Sequence, residues 1–82
     1  MSTPYNFPRA NPAPPYLVKV IVETYTRFRI PQTVDAQTLE ECRARAAALV
    51  RKYTEKKTPD ARRIYCEVID SAGRIVNPSM WN

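Results

Sequence analysis

Side chains suited to nucleophilic, acid–base or soft-metal chemistry are scarce in this 82-residue chain, which has two cysteines, Cys42 and Cys66, and no histidine. Without an imidazole it lacks the usual general base and the commonest metal ligand. The two thiols are far apart and form no CxxC, so the spacing argues against structural zinc. The single glycine, Gly73, excludes a phosphate-cradling loop and a dinucleotide fingerprint. The acidic residues fall at helix ends, turns and strand surfaces, not in pairs facing a pocket. The reading is a non-enzymatic protein with no catalytic residues, cofactor or metal. Cys42 and Cys66 each share the apolar parity of their segment. They could meet as a staple or redox pair, but two buried thiols acting as small apolar groups is the preferred account.

The chemistry that is present is binding chemistry. Thirteen Lys and Arg against eight Asp and Glu leave a formal charge of +5, which favours acidic or polyanionic partners. Within the strand-like runs, tyrosines alternate with arginines. Lys19, Tyr25, Arg27, Arg29, Arg63 and Tyr65 share one parity, with Leu17, Ile21 and Ile69 among them. A second cluster, Lys52, Lys56, Lys57, Arg62 and Arg63, lies at the helix end. Rings beside cations are what single-stranded nucleic acid requires, the rings for bases and the cations for phosphates. They also mark protein interfaces, where Tyr and Arg are favoured anchors. Self-association through this face, a homodimer or packing of the chain's own ends, is the plainer alternative.

These groups need elements to hold them. Thr38–Lys56 has Leu39, Cys42, Ala46, Leu49, Val50 and Tyr53 at helical spacing. Thr38 and Glu41 match a capping box, and Pro59 prevents continuation. Tyr16–Ile30 is strand-like, with Tyr16, Val18, Val20, Val22, Phe28 and Ile30 on the inward parity. Its length predicts a turn near Thr24–Thr26 and two strands, 16–23 and 27–34; one long bent strand is the alternative. Pro31 makes the second strand an edge or places a bulge in it. Arg62–Asp70 alternates again, with Ile64, Cys66 and Val68 inward. Asp70-Ser71-Ala72-Gly73 reads as a hairpin turn into a short strand Arg74–Val76, stopped by Asn77-Pro78.

The expected fold is α+β: a small antiparallel sheet in ββαββ order, covered on one face by a single amphipathic helix. Residues 1–15 form an extended Pro-rich arm, 16–77 the domain and 78–82 a C-terminal tail. Arg9 through Pro15 fits the basic, proline-spaced form that SH3 grooves accept, an adaptor alternative. No apolar run is long enough to span a bilayer and the start lacks a signal-peptide pattern, which points to a cytoplasmic protein.

The strand pair, the helix opened by Thr38-Leu39-Glu40-Glu41 and the closing VIDSAGRIV hairpin resemble small phage and mobile-element proteins, including some anti-CRISPR proteins. The resemblance spans residues 16–76 and is architectural, so no site residues are carried over. It implies a protein that docks on a host protein or nucleoprotein complex in the host cytoplasm and inhibits or modulates it. Many such inhibitors are acidic DNA mimics. This chain is basic, which points it toward an acidic surface or the nucleic acid itself.

Overall fold

The computed structural model describes residues 11–82. A three-stranded antiparallel sheet, β1 (Tyr16–Thr24), β2 (Phe28–Ala36) and β3 (Ala61–Ile69), carries one long helix, α1 (Leu39–Glu55), on one face. The strand order is β2-β1-β3, so the first strand is central and both others are edges. No helix among the described residues is long and apolar enough to cross a membrane.

Tyr16, Val18 and Val20 turn toward the helix and are buried with Val68, Cys42, Ala46 and Leu49. Ile64, Cys66 and Tyr53 border this core. The turn between β1 and β2 has no glycine. Thr24 closes it instead, its N–H and hydroxyl both donating to the Arg27 carbonyl (2.7 and 2.9 Å). No residue of this turn takes a positive φ, so none has to be glycine, and the Thr side chain bonding nearby backbone closes it. Two strands form, and the bent-strand alternative is discarded.

Thr38 caps α1, its hydroxyl accepting the Glu41 N–H at 3.0 Å. The return half of the expected capping box is displaced by one residue, because Glu41 Oε1 accepts the Gln37 N–H (2.7 Å).

Two expectations are corrected. The first concerns the faces of β2. Val20 pairs with Gln32 but Val22 pairs with Arg29, so β2 holds an extra residue at Ile30–Pro31. Pro31 thus lies on an edge strand and also in a bulge, as its missing N–H favours. A one-residue slip exchanges the faces of every residue upstream. Phe28, expected inward, pairs with Glu23 on the open face and is 63% exposed. Arg29, expected outward, shares the register of Val22 on the helix side. Ile30 sits in the bulge and is exposed.

The second correction is the order, which is ββαβ and not ββαββ. The turn at Asp70–Gly73 forms, with Gly73 at φ 81°. Beyond it only an isolated bridge, Ile69 to Ile75, is made. The Val76 carbonyl accepts the Trp81 indole N–H (3.2 Å), and Asn77-Pro78 turn the chain into a helix before a ladder can extend. Asn77 then caps a single helical turn, α2 (Pro78–Trp81), by accepting the Ser79 N–H (2.9 Å). Residues 78–82, expected as a tail, thereby deliver Trp81 to the core beside Val76.

Candidate binding surface: a basic end and an open face

Antiparallel connections place three pieces of chain at one end of the sheet. β1 ends at Thr24 and β3 begins opposite it, with Thr24 paired to Ala61. The β1–β2 turn, the C-terminal turn of α1 and the loop into β3 therefore converge there. Arg27, Arg29, Lys56, Lys57, Arg62 and Arg63 lie at this end, with Lys52 one turn back along the helix. The C-terminus of α1 points the negative end of its dipole at the same place, which favours cations.

Exposed rings stand among these charges. Tyr25 is 76% exposed at the tip of the turn, and the Arg62 guanidinium lies 4.9 Å from its ring centre. Phe28, turned outward by the bulge, lines a 290 Å³ hollow with Thr24, Arg27, Arg29 and Asp60. A smaller cleft of 110 Å³ between Lys57, Arg62 and Arg63 links the helix end to β3. Among the described residues, Arg27, Arg29, Lys52, Lys56, Lys57 and Arg62 make no ion pair. Lys52 does donate to Gln32 Oε1 (2.9 Å), which also accepts the Tyr53 hydroxyl (3.0 Å). Asp60 accepts the Thr58 hydroxyl and is the acid nearest the hollow.

The open face of the sheet has a different character. Lys19 Nζ is 3.1 Å from Glu67 Oε1, and Arg63 Nη1 is 3.7 Å from Glu23 Oε1. Tyr65 donates its hydroxyl to Glu23 Oε2 (3.2 Å), and the Arg63 guanidinium lies 4.5 Å from the Tyr65 ring centre. Burial and the neighbouring Glu23 carboxylate push the Tyr65 phenol above its ordinary range. The cations of this face are thus already matched by acids.

The site residues read from the sequence separate accordingly. Tyr25, Arg27, Arg29, Lys52, Lys56, Lys57 and Arg62 gather at the basic end, and Arg63 borders it while pairing with Glu23 on the open face. Lys19 and Tyr65 belong to the paired open face. Tyr25 and Arg27 lie in the turn, not on the outward face of a strand, and Arg29 is on the helix-side register. Phe28 was missed as a surface group because strict alternation assigned it inward. Pro31 was the available signal that the parity reverses.

Cys42 and Cys66 are free thiols. Burial raises the Cys42 thiol and pushes Cys66 up to about 11. Cys66 Sγ donates its S–H to the Ala46 carbonyl at 3.6 Å. Thiols held protonated are poor nucleophiles. No group of three or more potential metal ligands occurs among the described residues. Comparison of the chain with protein-family models, curated proteins and solved structures finds no match.

Proposed function

We propose that this chain is a non-enzymatic binding protein whose basic end engages a nucleic-acid strand, in the setting of a nucleoprotein complex that it inhibits or modulates by occupying that strand. The observation that carries the reading is the convergence of Arg27, Arg29, Lys56, Lys57 and Arg62, without ion-pair partners among the described residues, around exposed Tyr25 and Phe28. Phosphates neutralise the cations and bases stack on the rings. An acidic protein surface supplies the first of these complements, whereas a single strand supplies both along its length.

Anisotropy of a labelled single-stranded oligonucleotide tests this. Neutralising four to five phosphates predicts a log–log salt slope of about −3. A flat salt response, or no binding at low salt, removes the reading.

A second reading, docking on an acidic protein surface, is favoured by the Arg62–Tyr25 stack, since Arg and Tyr are common interface anchors. Capture of the same partner before and after nuclease treatment would select it. The adaptor reading depends on Arg9 and the first prolines, which lie outside the described residues.

A further inference from the structure

The two edges of the sheet differ. The β2 edge carries Pro31 and a bulge, devices that disfavour pairing with another strand where they stand, and is regular only over residues 32–36. The β3 edge is not interrupted between Arg63 and Glu67. Val76 N–H donates to Val68 O (2.8 Å) and Asp70 N–H to Arg74 O (2.9 Å). Even-numbered residues of β3 therefore turn their amide and carbonyl to the outer edge. By the same alternation the amides and carbonyls of Ile64 and Cys66 point outward, with no strand beside them among the described residues. The open window is bounded at one end by the register shift at Arg62, between the Glu23 and Thr24 pairs, and at the other by Val76 on Val68. Its centre is Tyr65.

We propose that this window pairs antiparallel with the same window of a second copy of the chain, about a two-fold axis at Tyr65, to give a continuous six-stranded sheet. This goes beyond the nucleic-acid reading and uses the β3 edge, which shares only Arg63 with the basic end. The register decides the partner. Centring on Tyr65 sets Ile64 opposite the partner's Cys66, a pairing in which both residues exchange backbone hydrogen bonds, and the symmetry repeats it. Arg63 then faces the partner's Glu67.

The charges continue in sequence across the sheet. Lys19 pairs with Glu67 and Glu23 with Arg63 within one chain. In the dimer each row reads Lys19, Glu67, the partner's Arg63, the partner's Glu23, with signs alternating throughout. Between these rows runs an uncharged row of Ile21, Tyr65 and their copies. Opposite charges and aromatic pairs directly across a ladder are the favourable ones. On the helix side, a groove of about 490 Å³ along this edge, lined by Ala47, Val50, Ile64, Cys66 and Trp81 among others, receives the partner's Ile64 and Cys66. A foreign extended strand could use the same edge, but only the chain's own sequence returns this charge register about one axis.

Sedimentation of the full chain over a wide concentration range is expected to show a monomer–dimer equilibrium. Ile64→Pro should abolish the dimer: it removes an outward N–H that the monomer does not use in its own ladder, and circular dichroism checks that the fold survives. Independently, with Cys42→Ala and Cys66→Ala, Tyr65→Cys should oxidise to a cross-linked dimer. Arg63→Cys alone should not, whereas a mixture of Arg63→Cys and Glu67→Cys chains should. A monomer at every concentration, a dimer that survives in folded Ile64→Pro, or cross-links in another register would each overturn the proposal. Oligonucleotide binding by folded, monomeric Ile64→Pro separates this result from the nucleic-acid reading.

Discussion

Asp70 is the one buried acid of the described residues, and its surroundings show what a single carboxylate does here. Oδ1 accepts the N–H groups of Ala72 and Arg74 (3.0 and 2.9 Å), and Oδ2 lies 3.0 Å from Arg74 Nη2 and accepts from Nε at 3.2 Å. The Arg74 backbone N–H is the largest influence, assisted by the Ala72 N–H and the Arg74 guanidinium. Together they hold the Asp70 carboxyl below its ordinary value against the opposing effect of burial. Because the folded value is depressed, the associated stability is present above the unfolded carboxylate value of about 3.9 and is lost as pH falls through the folded one. Asp70→Asn should weaken the fold at neutral pH and flatten the stability–pH curve below about pH 4, as read by urea midpoints. An unchanged acid limb would assign that limb to other carboxylates.

At the scale of elements, the bulge in β2 and the last helical turn carry the lessons. If Phe28 belonged to the core, its truncation would cost about 3–5 kcal/mol. Exposed on the open face, Phe28→Ala should change stability by about 0.5 kcal/mol or less, while weakening oligonucleotide binding if its ring stacks on a base. Trp81 is the reverse case. It is buried against the helix and sheet and donates its indole N–H to Val76 O. Trp81→Ala should cost about 3–5 kcal/mol, a large part of the roughly 4–12 kcal/mol expected for a domain of this length. Chemical denaturation measures both, and the contrast between the two aromatics checks the bulge and α2 together.

Among the described residues, charge is partly sorted along the sheet axis, with Glu55 and Asp60 standing at the cation end and Arg74 beside Asp70 at the other. Asp35, Glu40, Glu41 and Asp70 stand at the end where α1 begins, and the lysine–arginine cluster stands where it finishes. Both arrangements agree with the helix dipole. Reversal of Arg27, Arg29 and Arg62 to Glu should therefore reduce oligonucleotide affinity sharply and shrink the salt slope by about 0.7 per lost contact. Reversal of Arg43 and Arg45, farther from that end, should leave the slope nearly unchanged. The same midpoint of thermal unfolding in both variants would show that only the surface had changed.

The sequence alone determined the helix, its Thr38 cap, the inward faces of β1 and β3, the glycine turn and the scarcity of catalytic side chains. Each of these is local, written in period, capping chemistry or residue type. Strand pairing decided the rest. A bulge opposite Ile21 reversed the faces of Phe28 and Arg29, because a strand's parity holds only while its register does. The turn into α2 at Asn77-Pro78, which seats Trp81 on the Val76 carbonyl, ended the last ladder before it became a strand. Antiparallel connections brought distant cations to one end while matching Lys19 and Arg63 with acids, since neighbours across a sheet are set by register and not by distance along the chain.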